Sequence, residues 1–387
     1  MRKIIYPFGN DISKKIRFNK IYYDLLKSKI DESRLNILLK KIDHSYSLES
    51  LLLSDFSELI NIQKKIKSST SLNEIKSFFI KGTDDKPTYL YDGLQPLISG
   101  FFMSENIPLK SCHYCNIDYI NTFEEHYQFS SKKDFILNAP KELLMMIKEI
   151  SEETADKIIA NRGFNDFLKV FRSIFGKIVY SRFYEWYNRK IIENSLLIDL
   201  NNIVVKKNHY TLDHILPKSQ FSFLSLSIYN LVPSCSSCNT KFKHMKEFTI
   251  NEELLKISPT SNDFQLNNLL NFQIKFDVNE PDFDEKIKKI KQIEDVEMNI
   301  ENLQSLKSVD EFLEIFKIKS RYNFHKNIPF DLINKRKDYS DSQLEEIEKI
   351  FYKAGIFIDK NKFKNQVFGS VIFEALESNE PFEKYKK

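Results

Sequence analysis

Two cysteine pairs, CHYC at Cys112–Cys115 and CSSC at Cys235–Cys238, account for every cysteine in the chain. Four thiolates in two CxxC turns match the four corners of a tetrahedral zinc site. A shell closed by four protein ligands leaves no position for a substrate, so an ion held this way is structural. The alternatives are two unrelated pairs of buried cysteines or a redox-active CxxC. The polar, turn-like setting of each pair, with no cysteine left over, weighs against both. If the four act together, the sequence from 116 to 234 is enclosed in one loop. Loop-closure entropy grows only logarithmically with length, so such a clasp can carry a sizeable subdomain.

Glycine (8) and proline (11) are scarce among 387 residues, which favours helices joined by short turns over a sandwich of many strands. That length can bury one substantial core and build two or three packed units. A net charge of +4 permits nucleic-acid binding without demanding it, because a local patch matters more than the sum. The start MRKIIYPFGND has no apolar core of a signal peptide. The stretch 219–240 carries no charge, but serines with Asn230 and Asn239 interrupt it, which is wrong for hydrocarbon. These features lead to the expectation of a cytoplasmic protein, in which disulfides are disfavoured.

The expected fold is mainly α, with a small zinc-clasped module. Residues 1–105 read as an N-terminal helical region. Apolar residues repeat at helical spacing through 13–68, a short helix follows at 72–80, and an irregular segment holds Pro87, Gly93, Pro96 and Gly100. No chemistry is visible there. Residues 106–134 form the first half of the cysteine module, 135–200 a helical insertion, 201–250 the catalytic core and 251–387 a mostly helical C-terminal region. Within the last, 266–278 suggests a helix and a strand, and 284–303 a strongly charged helix with a solvated face.

In the insertion, a helix over 140–147, a tight joint at 148–151 and a helix over 152–161 are expected. Pro140 suits a first turn and Ser151 can cap the second helix. The order Leu137-Asn138-Ala139, Glu142-Leu143-Leu144, Ile150-Ser151, Ala155, Ile158-Ile159 and Arg162 resembles a helix-hairpin-helix module, whose hairpin amides grip a DNA phosphate. The resemblance implies that Lys148 and Lys157 help to hold DNA. Glu149 and Ser151 stand where that family usually has glycines, and Glu149 puts negative charge at the phosphate's place. An ordinary helical insertion is the alternative.

The stretch 212–243, LDHILPKSQFSFLSLSIYNLVPSCSSCNTKFK, carries the chemistry. Asp213-His214 ends a short apolar strand, Asn230–Pro233 is a second extended piece, and Ser234–Lys243 starts a helix bearing Asn239. Lys241 and Lys243 are expected on that helix's exposed side. Strand, loop, strand and helix make a ββα unit suited to hydrolysing a phosphodiester. A hard divalent ion, Mg²⁺ or Mn²⁺, neutralises charge on the phosphate and the departing oxygen. Asp213 suits such an ion and Asn239 can add an amide oxygen. His214 can take a proton from water near neutral pH, with Asn230 holding its orientation.

The pattern CxxC … DHxxPxS … NLxPxCxxCNxK resembles the HNH, or ββα-metal, endonucleases. The resemblance implies a metal ligand at Asp213, the general base at His214, a structural asparagine at Asn230, and at Asn239 the place often taken by a final histidine. It makes double-stranded DNA the expected substrate, with Lys218, Lys241 and Lys243 as further nucleic-acid contacts. An RNase using the same site, or a zinc-stabilised nucleic-acid-binding protein without catalysis, are the rival readings. The wording of the motif is also similar to HNH subunits of bacterial anti-phage systems of the Septu type, which work with an ATPase partner. Since neither Asp213 nor His214 is a thiolate, alanine at either position is expected to leave the fold intact.

Overall fold

The structure is a computed structural model that describes residues 2–83, 86–147, 150–162, 200–276 and 288–337. The chain divides into two compact units, one of Met1–Thr122 with Asn208–Lys387 and one of Phe123–Lys207. No helix among the described residues is long and apolar enough to cross a membrane.

Short polar side chains start the first helices, because each accepts a backbone N–H that the helix cannot satisfy internally. Asp11 caps α1 (Ile12–Leu26), Asp31 caps α2 (Glu32–Ile42), Ser47 caps α3 (Leu48–Leu53) and Asp55 caps α4 (Phe56–Lys67). Each turns an apolar face inward, such as Phe18, Tyr22 and Leu26 on α1. After α5 (Leu72–Lys76), β1 (Ile80–Thr83) and β2 (Lys86–Tyr89) pair antiparallel. Helix α6 (Leu90–Ser104) then runs through Gly93, Pro96 and Gly100, where the sequence suggested irregular chain. Its buried face of Tyr91, Ile98, Phe101 and Phe102 outweighs the one hydrogen bond Pro96 cannot make.

The second unit contains β3 (Thr122–Tyr127), paired with a later strand β4 (Ile203–Asn208). Between them lie α7 (Lys132–Asn138), α8 (Lys141–Leu144) and α9 (Glu152–Ala160). Ser151 caps α9 by accepting from Thr154 N at 3.2 Å, as its position predicts. Phe135, Leu143, Leu144, Ile147, Ala155 and Ile158 form its core. Of the expected joint, Lys148 and Glu149 lie outside the described residues, as does the segment 163–199.

The chain continues with β5 (Thr211–His214), β6 (Leu231–Ser234) and a short helix α10 (Ser237–Lys243) wound with i→i+5 bonds. Helices α11 (Glu253–Ile257) and α12 (Leu266–Leu269) precede β7 (Leu270–Phe276). The expected charged helix over 284–303 is corrected in its described part. Val296–Asn302 is strand β8, antiparallel to β7 with Leu270 opposite Asn302 and Phe276 opposite Val296. Val296, Met298 and Ile300 are buried at a spacing of two while Glu297 is exposed, a strand period that the dense charges concealed. Helices α13 (Lys307–Ile315), α14 (Ile318–Phe324) and α15 (Asn327–Lys337) follow. In the first unit, helices and small antiparallel strand pairs share one large core, which takes in all four cysteines and the β5–β6 pair.

Candidate active site

The four cysteines meet. Cys112, Cys115, Cys235 and Cys238 are buried, their sulfurs all lie within 4.8 Å of one another, and Cys115 and Cys235 are 4.0 Å apart. Sulfurs about 2.3 Å from a tetrahedral zinc stand about 3.8 Å apart, so the cluster fits that ion. The first turn is closed by Asn116 N donating to Cys112 O, with Asn116 at φ +55°, a conformation asparagine tolerates well. Backbone amides aim at the sulfurs: Cys235 N at Cys112 Sγ (3.3 Å), Ile117 N at Cys115 Sγ (3.4 Å) and Cys238 N at Cys235 Sγ (3.4 Å). Such donors stabilise thiolates and hold them in place.

Arg321 on α14 completes the setting. Its guanidinium donates to Cys238 Sγ at 3.2 Å and to Asp118 at 3.2 Å, and it lies over the Phe242 ring at 4.6 Å. A zinc with four thiolates carries two negative charges, so a fixed cation here offsets part of that charge. Tyr322, next in sequence, donates to the Cys115 carbonyl at 2.8 Å.

Immediately beside the clasp, β5 and β6 run antiparallel with Asp213 opposite Val232 and His214 opposite Leu231. Alternation along β5 sends the two side chains apart. His214 Nε2 lies 2.8 Å from the Ser225 carbonyl, which can only accept, so Nε2 carries the proton and Nδ1 keeps its lone pair. Burial, first of all, pushes the imidazole down to about 4, with the Ser225 bond and Asp213 opposing that shift. His214 is therefore neutral at pH 7, the form that can accept a proton. The ring packs against Tyr91 of α6 in a T-shaped contact, 4.4 Å between centroids.

Asp213 is 6% exposed and both its oxygens have protein partners. Tyr114, inside the CHYC turn, donates to Oδ2 at 2.6 Å, and Lys243 Nζ lies 3.0 Å from Oδ1. Burial and then the Asp213 charge raise the Tyr114 phenol well above its ordinary pKa, so it remains a donor. Lys243, expected on the exposed side of its helix, is 4% exposed. That expectation is corrected: a lysine at the end of α10 reaches inward because the aspartate and the His214 carbonyl, 2.7 Å away, offer it two oxygens. Asn239 points Nδ2 at Thr211 Oγ1 (3.0 Å), leaving its amide oxygen as a neutral hard donor. Carboxylate and amide oxygen are the kinds of donor that Mg²⁺ or Mn²⁺ takes, so the donor chemistry suits such an ion.

Asn230 does not touch the histidine ring. Its Oδ1 accepts from Leu216 N (2.8 Å), and its Nδ2 donates to the Leu216 (3.0 Å) and Leu224 (3.1 Å) carbonyls. It ties together the buried loop between the strands, and that loop presents the Ser225 carbonyl to His214. Tyr22 of α1 pins the same loop through the Leu226 carbonyl at 2.8 Å.

The proposed nucleic-acid contacts are placed variously. Lys241 is exposed. Lys218 is paired with Asp92 and lies over the rings of Tyr89 and Tyr91. Lys157 pairs with Glu153 at 2.6 Å, and Lys148 is outside the described residues. Tyr114, Tyr91, Ser225 and Arg321 escaped the sequence reading, since no pattern marks a residue that acts by facing another distant in sequence. Tyr114 alone had a signal, its place between two ligand cysteines.

A strand pair and short helix sharing a four-cysteine clasp, with an acid and a neutral histidine at successive positions of one strand, define a nuclease-type site. The model of the family described as HNH endonuclease matches residues 201–244, and the chain carries an HNH endonuclease domain there. No curated protein and no solved structure matched the chain.

Proposed function

We propose that this protein is a metal-dependent endonuclease that hydrolyses phosphodiester bonds in DNA. The observation that carries this reading is the placement of His214, its Nε2 2.8 Å from the Ser225 carbonyl, at the end of the strand that also carries Asp213. A divalent cation held by Asp213 and Asn239 would supply neutralisation of charge on the phosphate and the departing oxygen. His214 Nδ1 takes the proton of the attacking water, while the Ser225 carbonyl keeps the ring in the correct tautomer and stabilises the imidazolium. The loop tied by Asn230 fixes that carbonyl, and Tyr114 orients Asp213. The zinc cluster takes no part in the chemistry. Exposed Lys241 and the lysines of the insertion serve backbone contact.

The motif's likeness to anti-phage HNH subunits supports a role as a defence effector, with the helical regions flanking the domain as docking surfaces for an ATPase partner. Zinc-loaded full-length protein is incubated with plasmid, linear duplex and RNA, each with Mg²⁺, Mn²⁺ or EDTA. Metal-dependent cutting of duplex DNA, lost in His214→Ala, is the expected result. Cutting of RNA alone would reassign the substrate, and no cutting of any substrate would leave a binding protein.

A further inference from the structure

Asp213 already has a cation. Lys243 Nζ sits 3.0 Å from its Oδ1 and 2.7 Å from the His214 backbone oxygen, with side-chain exposures of 5% for Lys243 and 8% for Asp213. A buried ammonium persists only where oxygens replace its water, and here they are a carboxylate and a carbonyl, the ligand types of a hard divalent ion. Ammonium and ion therefore compete for the same negative charge. Tyr114 holds the other carboxylate oxygen at 2.6 Å, so Asp213 cannot simply rotate to offer a free one. Lys243 is also the last residue of α10, whose end is closed by the i→i+5 bond from His244 N to Asn239 O. His244 stands at φ +42° just beyond. Windings of this kind are the less stable helical form and are frequent at functional sites. The turn that carries Lys243 is thus the one that carries Asn239.

We propose that Lys243 is a positioning residue that holds the site closed without metal, its ammonium standing where a divalent ion would bind and withdrawing when the ion arrives. This rests on the reading of Asp213 as a metal ligand. Lys243 then sets the metal affinity of the site, and its release and the presentation of the Asn239 oxygen occur in one turn of helix.

Mn²⁺ binding to zinc-loaded full-length protein, followed by electron paramagnetic resonance of the free ion, tests this. Lys243→Met should bind Mn²⁺ at least about tenfold more tightly than the wild type, since it removes the competitor. Lys246→Met removes the same charge from an exposed position three residues further on and should change affinity little. Asp213→Asn should lose the site. Unchanged or weaker binding in Lys243→Met, with the site still lost in Asp213→Asn, overturns the role of Lys243 and leaves Asp213 a ligand. Wild-type binding in Asp213→Asn overturns the ligand reading itself, and with it the competition. If Lys243→Met does not fold, the wild type decides through lysine side-chain ¹⁵N spectra. The Lys243 ammonium signal, assigned by its loss in Lys243→Arg, should be protected without metal and lose that protection with Mg²⁺. A signal unmoved at Mg²⁺ concentrations that calorimetry shows to be saturating refutes the proposal.

Discussion

His214 and Asp213 are neighbours with different obligations, and their substitutions should fail differently. His214→Ala removes the base but leaves the Asp213–Lys243 pair intact, so nucleic acid should still bind. Cleavage in single-turnover assays should fall by about 10²–10⁴-fold, the usual loss for a general base. A wild-type rate in the folded variant would remove the histidine from the mechanism. Asp213→Ala is a harsher change than the sequence suggested. It strands the buried Lys243 ammonium, and breaking a buried pair from one side costs about 3–5 kcal/mol. Urea denaturation should show that loss, whereas Asp213→Asn, which can still accept from Lys243 and Tyr114, should lose much less. The expectation that alanine at 213 is structurally neutral is thereby revised, because the partner of the aspartate lies thirty positions away.

At the scale of elements, the loop between β5 and β6 matters more than its lack of regular structure implies. Residues 221–230 are buried throughout, and a buried loop must satisfy its backbone with something other than a ladder. Asn230 does this three times over. Asn230→Ala leaves an N–H and two carbonyls without their partner, at about 1–3 kcal/mol for each unsatisfied group, moderated by whatever water enters. Thermal melts should show the destabilisation. At temperatures where the variant is folded, activity should still fall more than for a surface substitution, since the Ser225 carbonyl loses its support. Activity equal to wild type in that folded state would separate the loop from the histidine's placement.

At the scale of the whole molecule, the cysteine clasp gathers chain from far apart. CHYC follows α6, CSSC follows β6, and Arg321 arrives from α14. Because thiolate binding free energy is also folding free energy, Cys235→Ser or a strong chelator should cost zinc, solubility and the folded state together. Zinc, and not Mg²⁺, should restore them. Elemental analysis finding no zinc in well-folded wild-type protein would remove the clasp. Arg321→Met should weaken zinc retention by about 10–100-fold, the range for loss of a partner outside the ligand shell, read by competition with a chromogenic chelator. Retention equal to wild type would make Arg321 a packing residue only.

The order of residues along the chain was enough to name the cysteine cluster, the strand carrying Asp213-His214, its partner after Asn230 and the helix beyond. Each is written locally: CxxC turns, short apolar runs, and a polar residue at a fixed step from them. The cap at Ser151 is legible for the same reason. What the local signals could not carry is which atom faces which. The inward reach of Lys243, the grip of Tyr114 on Asp213, the Ser225 carbonyl behind His214 and the guanidinium of Arg321 on Cys238 all join positions distant in sequence. The strand at Val296–Asn302 and the helix through Pro96 were decided the same way. Charge density and a proline are local preferences of a few kcal/mol at most. Burial of Val296, Met298 and Ile300, or of Ile98, Phe101 and Phe102, depends on what the rest of the chain brings against them, and there the tertiary structure prevailed.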